Sequence, residues 1–129
     1  MITSFSHYNL RAPQPLLDEL RDFYCNVVGL TLGARPPFSI FGYWLYAGEH
    51  DVLHLTEAFD DEHPVTHVNT TFNHAAFNCQ NYAEVRSRLT AHGIEFDTVP
   101  VPQTGRVQIF FNDPAGNGVE LNFKDEGNP

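Results

Sequence analysis

Positive charge is what this chain has least of. Seven lysines and arginines stand against sixteen acidic residues in 129 positions, a formal net charge of −9. So acidic a surface repels phosphate backbones and anionic lipids, so neither nucleic acid nor an acidic membrane is an expected partner. Long apolar runs are missing too. No stretch reaches the roughly 18 apolar residues of a membrane span, and the first residues lack the basic-then-apolar order of a secretory signal. Cysteine is scarce, with Cys25 and Cys79 the only two. Two cysteines do not make a disulfide framework, so free thiols in a reducing cytoplasm are expected. What the chain does have is a 42% apolar fraction, enough for the core of one ordinary domain or of two very small units packed together.

The most informative stretch is FFNDPAGNGVELNF, residues 110–123. It reads as a strand, a tight turn at Asp113-Pro114-Ala115-Gly116 and a second strand. Successive strand side chains alternate between faces. Val119 and Leu121 then seek a core, while Glu120 lies on the opposite, inner face. A carboxylate there needs a cation, a proton or hydrogen-bond donors.

The other elements follow in order. Residues 3–10 form a β-prone segment with His7. From Leu16 to Val28 apolar residues recur at helical spacing, with Pro15 in the first turn and Gly29 as the stop. Strands are expected at 30–35, 41–47 and 51–56, the last carrying His54 between Leu53 and Leu55. After a linker the order begins again. A strand at 71–79 carries His74, and a helix at 82–92 has Asn81 as its cap and Gly93 as its stop. Strands at 94–99, 107–112 and 119–123 close the chain.

The chain therefore reads strand-helix-strand-strand-strand, twice, with a repeat of about 65 residues. His7 to His54 spans 47 residues and His74 to Glu120 spans 46. The expected fold is α+β: two βαβββ modules forming a curved eight-stranded mixed sheet around a cleft, with the helices on the convex side. All 129 residues form one domain, with module 1 at 3–58, a linker at 59–69 and module 2 at 70–124. His7, His54, His74 and Glu120 would point into the cleft. Two imidazoles and a carboxylate with open positions suit a divalent ion, Fe(II) foremost, with Mn, Ni, Co and Zn as alternatives.

The motifs SHYNL, VLHL, FNHAAF and FFNDPAGNGVELNF, with the LRDFYCNVVGL helix exit, resemble the vicinal oxygen chelate superfamily over residues 3–124. That superfamily includes glyoxalase I, extradiol dioxygenases, methylmalonyl-CoA epimerase, and fosfomycin- and bleomycin-resistance proteins. The resemblance implies that His7, His74 and Glu120 are metal ligands, and it places His54 at a variable fourth position. Glyoxalase I enzymes usually have a carboxylate there and epimerases a glutamine. Extradiol dioxygenases have a histidine nearby that acts as an acid/base, so the set here leans toward ring cleavage, with Glu120 and His54 carrying the chemistry. Phe110 departs from that pattern, because the dioxygenases usually place a tyrosine ten residues before the metal glutamate. A glyoxalase-type lyase, isomerase or epimerase is the alternative, and a non-catalytic binding or resistance protein a further one.

Each residue also has a plainer reading. Glu120 would pair with an arginine such as Arg106. His54 would be a ligand, an acid/base, or a sheet histidine bonded to a backbone carbonyl. Arg35, Phe38, Trp44 and Phe110 are candidate substrate-pocket residues, although aromatic strands more often build core. His50, His63, His67 and His92 are expected to be solvated. The partners implied are a small-molecule substrate and a second copy of the chain, since small open sheets leave edges to cover. In the superfamily the modules pair within a chain or exchange between two.

Overall fold

A computed structural model describes residues 1–124. The fold is α+β, and it divides into two compact units, Met1–Val65 and the remainder from Thr66. Each unit is a βαβββ module with one four-stranded mixed sheet.

In the first unit, β1 (Tyr8–Ala12) leads to α1 (Gln14–Phe23), and β2 (Thr31–Gly33), β3 (Gly42–Ala47) and β4 (His50–Glu57) follow. The sheet order is β1-β4-β3-β2, with β1 parallel to β4 and the other pairs antiparallel. The apolar stripe of α1 buries Leu17, Leu20 and Phe23, with Pro15 in its first turn. The helix then widens into a π-helical turn, Tyr24–Val28, in which Tyr24, Val27 and Val28 all stay buried. Gly29 ends it at φ 107°, and its N–H bonds the Tyr24 carbonyl at 2.9 Å. A side chain would be strained in that left-handed conformation. On β4, Leu53 and Leu55 face the core at 0% exposure, as does Leu45 on β3. Fully burying a leucine contributes about 1.5–3 kcal/mol relative to leaving it exposed.

The second unit repeats the pattern with β5 (His74–Cys79), α2 (Tyr82–Ala91), β6 (Asp97–Pro100), β7 (Val107–Asn112) and β8 (Gly118–Phe123). Its order, β5-β8-β7-β6, is that of the first unit, again with the first and last strands parallel. Val107, Ile109 and Phe111 of β7 and Val119, Leu121 and Phe123 of β8 are buried on one face. Tyr82 of α2 meets Phe123 edge-on at 5.3 Å. The hairpin between β7 and β8 turns on Asp113. Its carboxylate accepts the N–H groups of Ala115 and Asn117 at 2.8 and 2.9 Å and the Asn117 side-chain amide at 3.0 Å.

The strand and helix limits differ from the sequence expectation in several places; the strands expected at 71–79 and 94–99, for instance, start only at His74 and Asp97. His7 lies just before β1 instead of within it. The strand expected at 30–35 shrinks to the three exposed residues Thr31–Gly33, since Pro36 follows closely and cannot extend a ladder. Asn81 stands at the helix start in a left-handed conformation, φ 63°, without a side-chain capping bond. Its carbonyl instead accepts the Val85 N–H at 3.0 Å. Among the described residues no helix is long and apolar enough to cross a membrane.

Candidate functional site

Both units place titratable side chains on the sheet face opposite the leucine and valine core. In the second unit, the β7–β8 register sets Phe110 against Glu120 and Gln108 against Asn122. Glu120 is 7% exposed, and its carboxylate has two neighbours. His74 Nε2 lies 3.1 Å from Oε1, and the Gln108 amide donates to Oε2 at 3.2 Å. Arg106 is not among its partners, so the arginine pairing does not form. Phe110 stands edge-on to His74 at 5.5 Å, bringing a ring and no hydroxyl to this group.

The other ring nitrogen of His74 decides what the pair can do. Nδ1 lies 2.7 Å from the Asn73 side-chain oxygen, an acceptor that matches a proton on Nδ1. Nε2 is then the ring nitrogen that faces the Glu120 carboxylate. Two acceptors at that separation need something positive between them, either a proton or a metal ion. The pair fits a divalent cation as it fits a proton. His7 has a comparable neighbour, with its Nδ1 2.9 Å from Ser6 Oγ.

The first unit holds a different group. Asn9 of β1 and Trp44 of β3 flank His54 in the ladder. His54 is 7% exposed. Its ring is sandwiched between Trp44, at 4.1 Å and 9°, and His7, at 3.6 Å and 17°. Nε2 donates to Asp51 Oδ2 at 2.6 Å, and the His54 N–H beside it holds the Asp51 carboxyl below the usual carboxylate range. His54 thus bonds a carboxylate and not a backbone carbonyl, with Nδ1 left free.

Strict alternation would put Asp51 and His54, three residues apart, on opposite faces. The register explains why they share one. Leu45 pairs with Leu53, but Ala47 pairs with His50, so Asp51 and Val52 together oppose Tyr46. This bulge inserts one residue and resets the alternation. Asp51 was missed for that reason; nothing in the local sequence marks the bulge. Gln108, by contrast, sits two residues before Phe110, and alternation places it beside Glu120.

His7, Asp51 and His54 form a candidate metal-binding group, their ligand atoms within 4.8 Å of one another. Their arrangement favours a different use. Lone pairs of imidazoles lie in the ring plane, and two stacked rings do not aim them at one point. Asp51 is already the acceptor for His54.

A cleft of about 510 Å³ opens beside this group, lined by His7, His54, Arg35, Phe38, Trp44 and Asp51 among others. Three of the four pocket residues expected from the sequence, Arg35, Phe38 and Trp44, line it together. Phe110 lies in the second unit beside His74 and Glu120. His50, His63, His67 and His92 are exposed.

The description "Glyoxalase/Bleomycin resistance protein/Dioxygenase superfamily" matches residues 4–121. No curated protein matches the sequence significantly. Several solved structures share the fold. A protein assigned to the glyoxalase family from Bacillus anthracis is 21% identical with a TM-score of 0.72, covering 96% of this chain and 97% of its own. Lactoylglutathione lyase from Agrobacterium tumefaciens is 24% identical with a TM-score of 0.66, covering 96% of each chain. A mutant of the fosfomycin resistance protein FosX from Listeria monocytogenes, complexed with Mn(II) and 1S,2S-dihydroxypropylphosphonic acid, is 20% identical with a TM-score of 0.72. It covers 96% of this chain and 94% of its own. The duplicated βαβββ architecture and the match over nearly the whole sequence lead to one assignment: the chain belongs to the glyoxalase/bleomycin resistance protein/dioxygenase superfamily.

Proposed function

We propose that this protein is a divalent-metal-dependent enzyme acting on a small molecule with vicinal oxygens, and that His7, His74 and Glu120 hold the ion. The observation that carries this reading is His74 Nε2 set 3.1 Å from a buried carboxylate, with Nδ1 2.7 Å from the Asn73 side-chain oxygen. Metal-binding histidines characteristically have the second nitrogen fixed in this way. Two imidazoles and one carboxylate leave coordination positions open and suit Fe(II), while Zn, Ni, Mn and Co accept the same donors. When bound, such an ion supplies Lewis acidity to adjacent substrate oxygens and, as Fe(II), the redox chemistry of O2 activation.

The chain's own residues supply the rest. His54 accepts a proton from a substrate hydroxyl at Nδ1, its free nitrogen. Asp51 holds the opposite N–H and stabilises the imidazolium that results. Phe38 and Trp44 offer apolar faces to a planar substrate. Together these features favour extradiol-type cleavage of an aromatic diol. Phe110 supports a second reading, glyoxalase-type isomerisation or lysis by proton transfer, because the position facing Glu120 has no hydroxyl to contribute. The lactoylglutathione lyase among the similar structures accords with that alternative.

Metal content after anaerobic purification is the first test. Stoichiometric iron and O2 uptake with a panel of catechols are the expected outcome. Nickel- or zinc-dependent consumption of the methylglyoxal–glutathione adduct, without O2 uptake, would transfer the assignment to the second reading. A protein that stays metal-free after supplementation, yet binds ligand in the cleft, would be a binding or resistance protein instead.

A further inference from the structure

The cleft in the first unit contains a cation that no acid neutralises. Arg11 pairs with Glu62, and Arg21 with Asp18 and Asp22. Arg35 has no acidic partner among the described residues. Neutral groups hold it in place. Its Nη2 donates to the Ile40 carbonyl at 2.7 Å, and the guanidinium lies 5.0 Å from the centre of the Phe38 ring. Gly42 backs it, and a β-carbon there would come within 3.1–3.2 Å of the guanidinium. The arginine is thus fixed before any ligand arrives, so ordering it on binding costs little.

Its setting matters. The chain carries a net charge of −9, and a general surface of that sign repels anions. Asp51, the acid lining the cleft, already accepts the His54 N–H. That leaves the Arg35 guanidinium as the positive site in a cleft walled by Phe38 and Trp44, whose rings lie 6.2 Å apart. A planar guanidinium matches a carboxylate in geometry as well as in charge.

We propose that Arg35 recognises a carboxylate on the substrate, so that the substrate class is a planar acid bearing vicinal oxygens, such as a dihydroxybenzoate. The proposal rests on the metal-dependent function above for the vicinal oxygens, and on the cleft alone for the carboxylate. The dissociation of those two parts is built into the test.

Trp44 is the chain's one tryptophan and lines the cleft, so its fluorescence reads occupancy. Metal-loaded protein is titrated with catechol and with 3,4-dihydroxybenzoate, and metal-free protein with phenol and with benzoate. The expected result is at least tenfold tighter binding of the acid in each pair. Arg35→Gln should reduce that preference to less than about twofold, and Arg35→Lys should restore part of it. Circular dichroism confirms that each variant is folded. Equal affinity for acid and neutral ligand in the parent protein overturns the proposal, as does a preference that survives Arg35→Gln. If the protein takes up no metal but still prefers benzoate to phenol through Arg35, the metal reading fails while the carboxylate subsite stands.

Discussion

At the scale of single residues, the two histidines that open the modules differ in what they face but share one local device. Ser6 engages Nδ1 of His7, and Asn73 engages Nδ1 of His74. The residue before each histidine turns the same ring nitrogen away. Asn73→Ala should therefore lower metal affinity by about 10–100-fold, the usual cost of removing such a support, while Glu120→Gln should abolish stoichiometric uptake; metal titration by calorimetry reads both. Asp51 predicts a pH effect of definite sign. Its pKa lies below the ordinary value because of the His54 hydrogen bond. Its stabilising contribution is thus present above about pH 4 and is lost as pH falls through the lower folded-state value. The acid limb of the denaturant midpoint should flatten in Asp51→Asn. Cys79 is inert for a different reason. Burial pushes its thiol up to about 11, so iodoacetamide at pH 8 should label it roughly a hundredfold more slowly than an exposed cysteine.

At the scale of elements, glycines stand where strands come too close for a side chain. A β-carbon on Gly42 would sit 2.2 Å from the Leu55 carbonyl oxygen, and one on Gly118 would sit 2.2 Å from that of Asn73. Gly118 is paired with His74. Gly118→Ala should displace the start of β5 and weaken metal binding as well as stability, whereas Leu121→Ala should cost about 2–5 kcal/mol of stability with the inner-face donors left in place. Urea melts and metal titrations on both variants separate the two effects. The same elements show how far sequence carries. Period-two alternation reads Gln108, Phe110 and Glu120 onto one face of β7 and β8, because those strands are regular. It fails at β4, where the bulge at Asp51-Val52 reverses which face Asp51 joins. The α1 stripe reads correctly to Val28, but apolar spacing does not distinguish an α from a π turn.

At the scale of the whole molecule, duplication was legible because both halves repeat the same element order, chemistry and spacing. Partner contacts were less so, since they depend on edges that only the folded sheets reveal. The outermost strands, Thr31–Gly33 and Asp97–Pro100, are exposed along their length. Exposed edges favour association, and we expect a homodimer, which light scattering would report as twice the 14.6 kDa of one chain. The proposed ligand set takes His7 from the first unit and His74 and Glu120 from the second. A metal held by the proposed ligands stabilises the native form, since anything that binds only the folded state raises its stability by mass action. At a free metal concentration a hundred times Kd, the gain is about 2.7 kcal/mol. Thermal melts followed by Trp44 fluorescence, which reports the first unit, and by circular dichroism, which reports both, should shift upward together on metal addition and return together with a chelator. If Trp44 fluorescence stays put while circular dichroism shifts, the ion is held by His74 and Glu120 without His7, and the three-ligand site is wrong.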